Sequence, residues 1–208
     1  RHLTERHMQA IGTKTVSVIR INTRDSQQRD SVAGIQSRLT SGGINFITQY
    51  NKCSNGKLQW QLSSAGVFDV TIPNSITEFQ GINGSADLVA ATQNFLKQSQ
   101  GIASVANLAD KVIMCLPPGT GEWAASAGVN HWRAQTNDEW CMSLTGTMHE
   151  LGHTMGLLHA NADGVAYSDR TGYMSSGYTN TDWPMKCFNG YNTYKYGWFS
   201  GQTLSHDP

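Results

Sequence analysis

HELGHTMGLLHA, residues 149–160, sets three histidines, one glutamate and two glycines into twelve positions of a chain with only seven histidines in 208 residues. Leu144, Met148, Leu151 and Met155 recur around it at helical spacing, so the stretch opens on a helix. On a helix, positions i and i+4 share a face. His149 and His153 then project side by side, close enough for one metal ion. Glu150 leaves at a neighbouring angle, poorly placed to ligate but suited to act as a base on a metal-activated water. Gly156 breaks the helix by tolerating positive φ, and the returning chain offers His159 as a third ligand. Three protein ligands and one open place is the pattern of catalytic zinc. A lone histidine is usually an ordinary surface or core residue. With this chain's own composition, however, H-E-x-x-H-x-x-G-x-x-H arises by accident in about 2 of 100,000 chains.

The rest of the sequence bounds the reading. The length suits one domain, or one domain with two lobes across a cleft. Formal net charge is zero and no basic run is present, which argues against a nucleic-acid partner. No run approaches the ~18 apolar residues of a membrane span. A chain that starts at Arg1 fits a mature fragment whose leader has been removed. Cys53, Cys115, Cys141 and Cys187 form no CxxC pair, and two disulfides fit a secreted protein. Of the three connectivities, Cys141–Cys187 with Cys53–Cys115 is expected, because an irregular lobe gains most from a tie to the sheet. Asn83-Gly84-Ser85 is a glycosylation sequon compatible with secretion.

Along the chain, Thr15 to Ile21 reads as a strand, and Asp25 or Ser26 as the cap of a helix ending near Thr40. Ile44 to Tyr50 reads as a strand, as do the alternating runs through Leu58, Trp60 and Leu62 and through Phe68, Val70 and Ile72. Ser85 could cap a helix through Ser99. Val112 to Leu116, wholly apolar, reads as a central strand. After Gly156 regular periodicity fades and Gly, Asn, Tyr, Ser and Thr dominate. The expected fold is α+β: residues 1–156 as a twisted mixed sheet with helices, residues 157–208 as an irregular lobe, and a zinc cleft between them in a single domain, 1–208.

HELGHTMGLLH resembles the extended zinc motif of the metzincin metalloendopeptidases. That resemblance implies a tight turn carrying a methionine beneath the metal, for which Met174, in Asp169-Arg170-Thr171-Gly172-Tyr173-Met174-Ser175, is the candidate. Ala160 follows the third histidine where adamalysins have Asp and matrixins Ser. The segment from Cys187 to Phe199 is similar to the C-F-N-A…LGW signature of the gametolysin family. It matches at Cys187, Phe188, Asn189, Gly197 and Trp198 and departs at Gly190 and Tyr196. Tyr191, Tyr194, Tyr196, Trp198 and Phe199 also suit the core of the second lobe.

The resemblance implies a secreted, monomeric zinc endopeptidase, made with a propeptide that is removed, acting on extracellular, cell-wall or matrix proteins. Glu150 is then the general base, and His149, His153 and His159 the zinc ligands. Tyr178, four residues after Met174, is the candidate to help stabilise the oxyanion. Glu122 to Val129 is in the place of the edge strand that would pair with an extended peptide. Two other classes fit the histidines: an inactive zinc-containing binding or adhesion module, and a structural zinc site closed by His131, Asp163 or Asp169. Neither has a use for Glu150.

Overall fold

The computed structural model describes residues 10–175 and 185–199. Its centre is a five-stranded sheet formed by β1 (Gly12–Asn22), β2 (Leu58–Thr71), β3 (Lys111–Leu116), β4 (Ala125–Ala127) and β5 (Arg133–Asn137), in the order β2-β1-β3-β5-β4. All neighbours are parallel except β4 and β5, so the sheet is mixed. The short β4 lies at one edge.

Helices cover both faces. β3 shows this in its alternation: Ile113 and Cys115 face one apolar cluster, and Val112, Met114 and Leu116 face the other. A strand covered on both sides needs no polar residues, which is why this one reads as an unbroken apolar run. The second cluster is closed by Leu88, Val89 and Leu96 of α3 (Gly84–Gln100). The first is shared by α1 (Val32–Thr40), α2 (Phe46–Cys53) and α4 (Leu144–Thr154), together with the chain beyond Gly156. Among the described residues no helix is long and apolar enough to cross a membrane.

Several elements differ from the sequence expectation. Ile44–Tyr50 is not a strand: Ile44 precedes α2, Asn45 caps it, and Phe46–Tyr50 form its first part. Asn45 and Thr48 form a capping box there, and Phe46, Gln49, Tyr50 and Cys53 bury one helical face. That packing outweighs the β preference of the aromatic and branched residues. α1 starts at Val32, capped by Ser31. Asp25 is engaged elsewhere, accepting from Ser75 Oγ and the Ile76 amide. The two alternating runs are one strand, β2, whose register against β1 shifts between Val16 and Val18. Residues 63–66 form the irregularity, and Gly66 offers its carbonyl to Ser17 Oγ at 2.9 Å. In the second lobe Asn189 caps a short helix, α5 (Gly190–Lys195), which periodicity could not reveal.

The cysteine pairing differs as well. The disulfides are Cys53–Cys187 and Cys115–Cys141, each with Cα atoms 5.2 Å apart. β5 lies beside β3, with Thr136 opposite Cys115, so the chain leaving β5 delivers Cys141 to that cysteine. The segment before α5 docks instead on α2, where Gln49 Nε2 donates to the Lys186 carbonyl at 2.6 Å. The irregular lobe is therefore tied to a helix of the sheet lobe, as the entropic argument requires, but through Cys53.

Candidate active site

α4 carries the motif. Ser143 caps it by accepting from the Gly146 amide, and every residue from Leu144 to Thr154 is buried. A helix buried all round must meet neighbours on every face. On the sheet side it packs on β4 and β5. Elsewhere Tyr50 of α2 donates its hydroxyl to the Met148 carbonyl and Tyr196 donates to the Gly152 carbonyl, both at 3.0 Å. Burial drives both phenols well above their usual range. Gly156, at φ +98°, ends the helical path as its residue type foretells. The chain then turns so that the Leu157 amide caps the Gly152 carbonyl at 3.0 Å.

His149, His153 and His159 come together, and their nitrogens can hold one metal ion. His149 Nδ1 lies 2.6 Å from the Tyr173 carbonyl oxygen, and His153 Nδ1 lies 2.8 Å from that of Leu157. A carbonyl only accepts, so each Nδ1 carries the proton and each Nε2 turns a lone pair inward. His153 Nε2 is 3.1 Å from His149 Nε2 and 3.0 Å from His159 Nε2. With no proton between His149 and His153, their contact is not a hydrogen bond but two lone pairs facing one another. A cation between them removes that repulsion. Four ligands at Zn–N of about 2.0–2.1 Å stand roughly 3.3 Å apart, close to the spacing present here. Burial holds His149 down to about 3, and burial also lowers His153 and His159, so all three are neutral near pH 7, the form that ligates.

Glu150 is buried, and its Oε2 has no hydrogen-bond partner among the described residues. Burial pushes its carboxyl up to about 8. It does not join the histidine cluster, and among the described residues neither His131, Asp163 nor Asp169 does. The His131 ring accepts from the Arg133 amide, and Asp169 is held by Thr171 and Asn189.

Met174 is fully buried, and its sulfur lies where a side chain at Gly152 would have to be. The turn around it reaches two of the histidines. Tyr173 supplies the carbonyl for His149, and the Met174 carbonyl accepts from the amide of Ala160, next to His159, at 2.7 Å. The turn is itself held by the disulfide segment, since the Tyr173 amide donates to the Cys187 carbonyl at 3.0 Å. Gly172 passes so close to the backbone of residues 187–189 that a Cβ would stand 2.5 Å from the Asn189 nitrogen. Of the second-lobe aromatics, Tyr196 and Trp198 are core, while Tyr191, Tyr194 and Phe199 are exposed. Tyr178 lies outside the described residues.

The sequence model of the gametolysin peptidase M11 family matches residues 26–205. This chain belongs to the gametolysin peptidase family. The match runs through α4, the Met174 turn and the Cys187 segment, and so takes in all three histidines of the cluster. No curated protein matches the chain. Among solved structures, wild-type OgpA from Akkermansia muciniphila is similar in two crystal forms. These match at 13% and 14% identity, with TM-scores of 0.56 and 0.55, each covering 92% of this chain. The chain spans 62% of the OgpA chain. A chain in the structure of a chaperone–substrate complex matches at 14% identity and a TM-score of 0.50, covering 81% of this chain and 29% of that one. At such identities these neighbours share the fold.

The sequence missed the backbone carbonyls of Tyr173 and Leu157, because carbonyls carry no residue signature. It also passed over Gly152. A glycine inside a helix costs about 1 kcal/mol against alanine, and at that price in helicity it marks a close approach.

Proposed function

We propose that residues 1–208 are a single catalytic domain of a secreted, monomeric zinc endopeptidase, freed of a propeptide, that hydrolyses internal peptide bonds of extracellular proteins. The observation that carries this is the pairing of two incomplete groups on one helix: three neutral imidazoles with converging Nε2 atoms, and beside them a buried glutamate with an unpartnered oxygen. The donor set fits zinc, which favours three nitrogen ligands and an open place. When bound, zinc acidifies a water toward about pH 7 and polarises a carbonyl.

The chain's own residues do the rest. Glu150 takes a proton from the attacking water at a carboxylate oxygen and returns it to the departing amine nitrogen. A cation held by the three neutral histidines would oppose the upward pull of burial on Glu150 and favour the carboxylate that accepts the proton. Tyr173 and Leu157 hold the ligand tautomers. Met174 is the apolar floor and not a ligand. Tyr178 is retained as the oxyanion candidate on sequence grounds alone. β4 is an edge strand within Glu122–Val129, and its outer side suits an extended peptide backbone. An inactive binding module would leave the buried carboxylate without a task.

Digestion of casein or an unstructured peptide, with metal analysis of the same sample, tests the reading. The expected result is one zinc per chain and cleavage abolished by chelation and restored by zinc. Metal-free protein that cleaves as well as the loaded protein overturns it.

A further inference from the structure

The three histidines are not held alike. His149 and His153 are each fixed through Nδ1 by a carbonyl. His159 Nδ1 has no hydrogen bond among the described residues, and this ring is the most exposed of the three. What it has instead is Tyr167. The two ring centroids are 3.8 Å apart with planes at 31°, so the faces are in contact. The same tyrosine lies 12° from parallel with the His149 ring, 6.5 Å away.

The backbone takes an unfavourable path to put it there. Tyr167 is at φ +63°, and Asp163 ahead of it at φ +52°. A bulky residue in that region is uncommon and persists where its surroundings over-determine it. Here they do. Ser168 Oγ receives the Ala162 amide at 2.6 Å and sits within 2.7 Å of the carbonyls of Ala162 and Val165. Ala162 and Val165 are themselves bridged. The loop is a small knot whose product is one aromatic face laid on the third histidine.

We propose that Tyr167 is the positioning residue of His159, its ring face doing for the third ligand what the Tyr173 and Leu157 carbonyls do for the other two. The inference rests on the metal reading above. A stacked ring blocks rotation of the imidazole about its outer bond and shields one side from water. Its Nε2 then stays aimed at the shared centre without a hydrogen bond at Nδ1. The contact needs the ring and not the hydroxyl.

The test is zinc affinity by chelator competition, with melting of the zinc-free protein, for wild type, Tyr167→Phe, Tyr167→Ala and Tyr167→Gly. Phenylalanine should leave affinity unchanged. Alanine and glycine should weaken it about 10-fold or more, the usual consequence of losing a group that orients a ligand. Glycine adopts φ +63° freely, so zinc-free Tyr167→Gly should melt no lower than wild type while binding zinc more weakly. Wild-type affinity in Tyr167→Gly overturns the inference. So does a glycine variant whose zinc-free fold collapses, or a phenylalanine variant as weak as alanine. A wild-type chain that takes up no zinc overturns the metal reading itself, a result distinct from these.

Discussion

Gly152 and Met174 interlock: the thioether from the second lobe occupies the space a Cβ on the active-site helix would need. The Phe188 ring stands 3.2 Å from the same point. Lobe and helix thus interlock at a glycine that directly precedes His153.

The first prediction reverses an ordinary rule. In an exposed helix, Gly→Ala stabilises by roughly 1 kcal/mol. At Gly152 the methyl must displace buried Met174, and overpacking typically costs about 1–3 kcal/mol. Gly152→Ala should therefore lower stability, by about 1 kcal/mol net. The same change in a Met174→Ala background should be neutral or stabilising. Denaturant unfolding of the four proteins measures this; equal effects in both backgrounds contradict the contact. Met174→Leu, which keeps the volume, should cost under about 1.5 kcal/mol and retain zinc.

A second prediction concerns the disulfides. Cys53–Cys187 closes a separation of 134 residues and Cys115–Cys141 one of 26. Loop entropy makes the first worth about 5 kcal/mol and the second about 3.5 kcal/mol as upper values. Cys53→Ala/Cys187→Ala should be the less stable double variant. It should also weaken zinc binding, because the Cys187 carbonyl holds the Tyr173 amide and Tyr173 orients His149. Melting curves and zinc titration of both double variants check it.

The alkaline limit follows from Tyr50 and Tyr196. Burial raises both phenols well above 10, whereas in the unfolded chain they ionise near 10. Their protons are thus retained in the fold and lost on unfolding, so their contribution is intact below pH 10 and declines as pH rises beyond it. The decline approaches about 1.4 kcal/mol per pH unit for each. Tyr50→Phe/Tyr196→Phe should lose about 1 kcal/mol per hydrogen bond at pH 8. Between pH 10 and 11.5 it should fall less steeply than wild type. Parallel slopes would contradict the assignment.

What the sequence revealed depended on what kind of contact did the work. The gathering of His149, His153 and His159 was legible because a shared site sets residue types at fixed spacing, and Gly156 because the helix had to stop. β3 was legible because both its faces are apolar. α2 was misread since Ile44, Phe46, Ile47 and Tyr50 favour strands locally, while the burial that makes them a helix comes from α4 and residues 185–189. The cysteine pairs depend on β5 lying beside β3, and β5, Arg-Ala-Gln-Thr-Asn, has too little apolar character to announce itself. Tyr167 owes its place to a loop knotted by one serine, which no periodicity encodes.

The central claim is that Glu150 moves the proton while the histidines hold the metal. Glu150 is only 2% exposed, so Glu150→Gln is a better probe than alanine, which would open a cavity. The amide keeps the volume but cannot accept a proton. Zinc stoichiometry and melting should match wild type, while kcat/KM on an unstructured peptide falls by at least about 100-fold, within the usual span of positioned acid–base catalysis. A Glu150→Gln protein with full zinc and near wild-type kcat/KM would contradict the account.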